Sequence, residues 1–286
     1  MSGKHLKQSL CTLLGIALIS ISFICWATPA RADYFNCFQT EPSLPQCLSE
    51  PILVDSCFEP PPLGKASCCL STDQDEKDYS ISILDRNSDI TVLAIHGGRI
   101  EPNTTKISEE LAGSPRQWNL YTFSGHGRSQ CLLEGSLKKS NFGRLHITST
   151  NFNDQRAIDL VKSHSKSVAI HGYRRPSYRP GVICVGGKNK SQRRAFISYI
   201  KANHLTFVEQ GGYELEPIDA TDDDIVLCDG LRGVDKLNIV NRNSEGKGLQ
   251  LELSSMMRDN LANGTARRYK TLRNIIYSAI EKAMAV

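Results

Sequence analysis

Between Ile90 and Glu101 the chain reads ITVLAIHGGRIE, and this stretch restricts the possible folds more than any other. Val92, Leu93, Ala94 and Ile95 form a continuous apolar run, which suits a strand covered on both faces. Gly97 and Gly98 then let the backbone turn sharply, so Glu101 can fold back toward His96 at the strand's end. An imidazole and a carboxylate in that relation read as two ligands of a catalytic metal site. Such a site takes three protein donors of N or O type and leaves a fourth position for water. The third candidate is His171, because Ser167-Val-Ala-Ile-His171-Gly172 repeats the order of apolar strand, histidine and glycine.

From Ile81 onward short apolar runs alternate with helical segments. Strands are expected at Thr91–Ile95, Leu120–Phe123, Leu145–Thr148, Ser167–Ile170, Val182–Val185 and Leu249–Leu253, and helices at Gln155–Ser163 and Gln192–Asn203. A final helix carries Tyr269, Leu272, Ile276, Ile280 and Ala283 at three- and four-residue steps, one apolar stripe that should pack on the sheet. Its other face holds Arg267, Arg268, Lys270, Arg273, Glu281 and Lys282, which excludes a membrane span. This order predicts an α/β fold with a mixed, largely parallel central sheet flanked by helices, and such sheets place their sites at the carboxyl ends of strands.

Ahead of that domain, assigned to 79–286, lie two further segments. Residues 1–32 read as a secretory signal peptide, with Lys4 and Lys7, an apolar stretch to Trp26, and Ala30-Arg31-Ala32 as a cleavage site. Cleavage there leaves 286 − 32 = 254 residues, enough for one α/β core and an extension. Segment 33–78 holds Cys37, Cys47, Cys57, Cys68 and Cys69 among several prolines, lacks a sustained helical or strand period, and reads as a disulfide-stapled extension. With Cys131, Cys184 and Cys228 the exported chain keeps eight of its ten cysteines. Disulfides suit an oxidising compartment, but eight cysteines admit 105 connectivities. Removing Lys4, Lys7 and Arg31 reduces the formal charge of +4 to about +1, and no basic tract interleaved with aromatics is present, so nucleic acid is not an expected partner. The expectation is a secreted or periplasmic monomer without a stable membrane anchor. Sequons stand at Asn103, Asn189 and Asn263, and a glycan on Asn103 would crowd the site.

Metal-assisted hydrolysis also needs a base that is not a ligand. Glu252 lies inside the apolar strand Leu249–Leu253, where a carboxylate is costly unless paired or set in a cleft; the alternative is an outward position on an edge strand.

Six ordered blocks then resemble the phage-type poly-γ-glutamate hydrolase family: His96-Gly-Gly-Arg-Ile-Glu101, Arg144-Leu-His146-Ile-Thr-Ser-Thr150, Ala169-Ile-His171-Gly-Tyr173, Val185-Gly-Gly187, Asn238-Ile-Val-Asn-Arg242 and Gly246-Lys-Gly-Leu-Gln-Leu-Glu252. The resemblance runs from about Ser80 to Val286. It implies a zinc-carboxypeptidase-like fold, one zinc ion held by His96, Glu101 and His171, Glu252 as general base, and cleavage of γ-glutamyl amide bonds. His146 is assigned a supporting role beside the ligands, because a fourth protein ligand would close the position that water needs. Each unit of poly-γ-glutamate carries a free carboxylate, which guanidinium forks pair well. Arg99, Arg144, Arg174, Arg175 and, foremost, Arg242 are the substrate-binding candidates. Lys106, Asn151-Phe-Asn-Asp154-Gln155, Arg99 and the loop from Ser124 to Asn141 depart from the family pattern at the rim and bear on substrate identity. Peptidoglycan stem peptides are the alternative substrate, and a catalytically silent secreted binding protein is the alternative function.

Overall fold

A computed structural model gives the structure of residues 79–125, 145–173, 179–222 and 226–286, and the backbone of 34–39 and 66–71. The last two segments are strands β1 (Tyr34–Gln39) and β2 (Ala66–Ser71). They pair antiparallel with Cys37 opposite Cys68. The extension therefore contains strand structure that its sequence period did not announce.

The main sheet has seven strands: β3 (Tyr79–Leu84), β4 (Ile90–Gly98), β5 (Asn119–Gly125), β6 (Lys166–Tyr173), β7 (Val182–Gly186), β8 (Glu216–Asp219) and β9 (Leu249–Ser254), in the spatial order β3-β5-β4-β6-β9-β7-β8. The pairings β4–β5, β4–β6, β6–β9 and β7–β8 are parallel, while β3–β5 and β7–β9 are antiparallel. This is the mixed, largely parallel sheet that the alternating pattern predicts. The helices are α1 (Thr104–Ala112), α2 (Gln155–Lys162), α3 (Lys190–Asn203), the single turn α4 (Leu205–Val208), α5 (Ser255–Asn263) and α6 (Arg267–Met284).

Period-two alternation sorts the strand residues between two apolar layers. Val92, Val168, Ile170, Leu249, Leu251 and Leu253 face one core with Ile107 and Leu111 of α1, Phe196 of α3, Met257 and Leu261 of α5, and Leu272, Ile276, Ile280 and Ala283 of α6. Leu93, Ile95, Tyr121, Phe123 and Ala169 face the other, with Leu145, Ile147, Phe152 and the α2 residues Ala157, Ile158 and Val161. Covering on both faces explains why these strands read as unbroken apolar runs.

Leu145–Thr148 is not a strand. Leu145 and Ile147 are buried in the second core, but the Ile147 amide bonds back to the Leu145 carbonyl at 2.9 Å and the Ile147 carbonyl accepts from His96, so neither serves a ladder. The apolar alternation there reports burial of an irregular loop. Strands β3 and β8 and helices α1, α4 and α5 were not anticipated.

Cys184 of β7 is joined to Cys228, in a single 3-10 turn at Val226–Cys228, closing a disulfide across 44 residues. Among the described residues, no helix is long and apolar enough to cross a membrane. The proposed signal segment lies outside them.

Candidate active site

The carboxyl ends of the parallel strands β4, β6 and β9 open into one cleft of about 1010 Å³. His96, Glu101, His146, His171 and Glu252 all line it.

His96 reaches the cleft through an irregular end of β4. The β4–β5 register shifts between Ala94 and Gly97, the kind of bulge that re-aims a side chain at a sheet end. Gly98 has φ +64°, and a Cβ there would collide with the Gly125 backbone, so this turn requires glycine. The Glu101 amide donates to the His96 carbonyl at 2.8 Å and closes the loop. His96 Nδ1 and Glu101 Oε1 thereby lie 2.9 Å apart, both buried. His171 and Glu252 are direct register partners on adjacent strands. Glu252 shares the non-core parity of β9 with Gln250, so both face the cleft while Leu249, Leu251 and Leu253 fill the core. Strand β9 lies between β6 and β7, so Glu252 is on a central strand, not an edge.

The ring nitrogens define the chemistry. His96 Nε2 lies 2.7 Å from the Ile147 carbonyl, which only accepts, so Nε2 carries the proton and Nδ1 presents a lone pair. That Nδ1 faces His171 Nδ1 at 3.1 Å, and His171 Nδ1 lies 3.5 Å from Glu101 Oε2. Two imidazole lone pairs at this separation repel unless a proton or a cation sits between them. Donors arranged tetrahedrally at the 2.0–2.1 Å bond length of zinc stand about 3.3 Å apart. The two imidazole Nδ1 atoms stand 3.1 Å apart, close to that spacing, and each has one Glu101 oxygen beside it, Oε1 at 2.9 Å from His96 and Oε2 at 3.5 Å from His171. The Gly172 amide donates to Glu101 Oε2 at 2.7 Å and orients the carboxylate.

His146 stands on the open side, a third exposed, with Nε2 3.3 Å from Glu101 Oε1 and its ring centroid 4.2 Å from that of His96. The donor atoms of His96, Glu101 and His146 all lie within 4.8 Å of one another, so this second trio could also hold an ion.

Electrostatics follow from burial and crowding. Burial depresses the His96 imidazolium below its ordinary range. Burial would raise Glu101, but His96 when protonated on both nitrogens, together with hydrogen bonds from His146 and His171, holds it well below the usual carboxylate range. His171 is lowered by burial and raised by more in total through Glu101 and Glu252. Burial lifts Glu252 to about 7, against the pull of His171. A carboxyl near neutrality beside a nitrogen-rich cluster suits proton transfer.

Of the arginines, Arg99 is exposed and lines the cleft. Arg242 is not among the lining residues: its Nε donates to the Leu237 carbonyl at 2.8 Å and its Nη2 to the Thr150 carbonyl at 3.0 Å, so it braces the backbone. Arg144, Arg174 and Arg175 lie outside the described residues, as does most of the loop from Ser124 to Asn141. Lys106 and Asp154 do not reach the cleft: Lys106 bonds Asn263 at 3.2 Å, and Asp154 caps α2 and accepts from Tyr121 at 2.6 Å. Asn189 caps α3 from a buried position, which leaves no room for a glycan.

The asparagines beside Arg242 do more for the site than Arg242 itself. Asn238 donates to Gln250 Oε1 at 2.8 Å, and Gln250 donates to Glu252 Oε1 at 3.0 Å, so a buried amide chain aims the carboxylate. Asn241 donates to the carbonyls of Gly233 and Asp235 at 2.7 and 2.8 Å, pinning the cleft wall Asp229–Asp235. Arg258 of α5 also lines the cleft, and nothing in its sequence surroundings marks it apart from an ordinary helical arginine.

Comparison with known proteins agrees with this architecture. The chain is 29% identical over 204 residues to the SPbeta prophage-derived UPF0714 protein YoqZ of Bacillus subtilis (strain 168), covering 71% of this chain and 63% of that protein. It is 29% identical over 192 residues to UPF0714 protein YndL of the same organism, covering 67% and 64%. The chain thus spans less than two thirds of the length of these relatives. The solved structure of bacteriophage poly-gamma-glutamate hydrolase superposes with a TM-score of 0.56 at 24% identity, covering 75% of this chain and 95% of that one. YndL in its apo, zinc-free form superposes with a TM-score of 0.53 at 22% identity, covering 74% and 95%. The profile of the poly-gamma-glutamate hydrolase family matches residues 68–282, reaching back into the cysteine-rich segment, and the chain belongs to that family.

Proposed function

We propose that this protein is an exported zinc-dependent amidohydrolase that cleaves γ-glutamyl amide bonds, with poly-γ-glutamate as its substrate. The observation that carries the reading is the triangle of His96 Nδ1, Glu101 and His171 Nδ1 beside a separate buried carboxyl, Glu252, on the next strand. Family membership supports the hydrolase class, and the zinc-free form in which YndL was solved supports zinc as the ion.

His96, Glu101 and His171 would hold the ion, with His146 at the open side. The ion supplies positive charge that acidifies water and stabilises negative charge on a carbonyl oxygen. The protein's own groups do the rest. The Ile147 carbonyl keeps the His96 proton on Nε2 and leaves Nδ1 free to ligate. The Glu252 carboxylate, aimed by Gln250, takes a proton from the attacking water and returns it to the departing nitrogen. Exposed Arg99 meets carboxylates at the rim.

Zinc content and turnover of poly-γ-glutamate and of purified murein, in the native protein and in Glu252→Gln, test this. The expected result is about one zinc per chain in both proteins, and polymer turnover only in the native one. Absence of zinc would overturn the site. Zinc with turnover of murein alone would transfer the activity to stem peptides.

A further inference from the structure

Arg258 is only 4% exposed, yet its Nε and Nη1 atoms, both buried, have no hydrogen-bond partner among the described residues. Buried guanidinium N–H groups without a hydrogen-bond partner are costly, and these belong to a side chain that lines the cleft. It lies flat against the Gly172 backbone, where any Cβ would overlap the guanidinium. Gly172 thus seats Arg258 on one side while its amide orients Glu101 on the other. The charges of Glu101 and Glu252 both act on it.

We infer that Arg258 reads the type of linkage by taking the α-carboxylate of the residue whose nitrogen departs. This rests on the hydrolase reading above. In a γ-linked glutamate chain that carboxylate is free at every unit, and three bonds separate its carbon from the scissile carbonyl carbon. Those bonds span no more than roughly 4 Å. Along β6 the chain passes from His171, in the donor cluster, to Gly172, under the guanidinium. Successive strand side chains point to opposite faces, so the guanidinium reaches the strand end from the side opposite the His171 ring, where both line one cleft and the charges of Glu101, His171 and Glu252 act with it. At an internal α-peptide bond the same position is a neutral amide, which gives a guanidinium fork no charge to pair.

The experiment is calorimetric titration of zinc-loaded Glu252→Gln, and of the same protein carrying Arg258→Met, with γ-glutamylglutamate and with the analogue whose α-carboxyl on the second residue is a primary amide. The parent is expected to bind the acid about 10- to 100-fold more tightly than the amide, and the Arg258→Met protein to bind both at the amide's affinity. A purely structural role would not equalise the two ligands. Arg258→Met is expected to fold in the zinc-loaded protein; should it not, Arg258→Gln gives the same ratio. Preference for the acid surviving in the variant overturns the inference, as does a parent that binds both ligands equally or neither. Turnover by the native protein is scored separately. Loss of the hydrolase reading with the acid preference intact and Arg258-dependent would leave an Arg258 carboxylate site in a binding protein.

Discussion

His171 and His146 both lie near Glu101, but they occupy different surroundings. His171 is buried 3.1 Å from His96 Nδ1, whereas His146 is a third open to solvent. His171→Ala is therefore expected to lower zinc affinity by more than about 100-fold, and His146→Ala by less than that, as competition with a chelating dye would measure. The reverse order would assign the ion to His146. Proton linkage offers a second check on the metal-free protein. The Glu252 carboxyl is raised from 4.5 to about 7 by burial, so the folded state holds its proton more tightly than the unfolded chain. Stability from this group is complete below pH 4.5 and is lost as pH rises through about 7. His171, also raised, contributes in the same direction above its ordinary value, while Glu101, held low, contributes stability that is lost only on strong acidification. Thermal melts of the metal-free protein should show Tm declining across that window, with a shallower decline in Glu252→Gln. Equal slopes would contradict the burial of Glu252 as a neutral acid.

The element that assembles the ligands is the β4–α1 turn. Gly98→Ala places a side chain at φ +64° against the Gly125 backbone, and a destabilisation of about 2 kcal/mol or more is expected by chemical denaturation, together with weakened zinc binding. This turn was legible in the sequence, because a buried strand ending in histidine and two glycines leaves few geometries. The pairing of β6 with β9, in which His171 and Glu252 stand side by side, was not, because alternation alone left Glu252 either in a cleft or outward on an edge strand. What escaped was structure whose signal is not periodic. The apolar pair Leu145 and Ile147 imitates a strand because buried loops and strands bury the same residues. Arg242 carries the most recognisable charge in its block, but its donors go to backbone carbonyls, and the adjacent Asn238 and Asn241 build the wall. Arg258 looks like any helical arginine until the fold brings it against Gly172.

At the scale of the molecule, the Cys184–Cys228 bridge fastens the start of the cleft wall to β7, whose Cys184 is the register partner of Glu252. A closed loop of 44 residues corresponds to roughly 4 kcal/mol in the chain-entropy account. Replacing both cysteines by alanine is expected to reduce stability by about 2–4 kcal/mol and to raise KM more than it lowers kcat, because the wall lines the cleft and supplies none of the proposed ligands. Unchanged denaturation midpoints would show the bridge to be dispensable. The strand order has another consequence. β9 is the latest in sequence of the sheet's seven strands, yet it fills the middle of the sheet between β6 and β7. Until residue 254 has been synthesised, the growing polypeptide has two bare inner edges and lacks the strand that carries Glu252. A premature stop before that point would yield two parts of a sheet prone to stick to one another, so the sheet cannot close until β9 has been made.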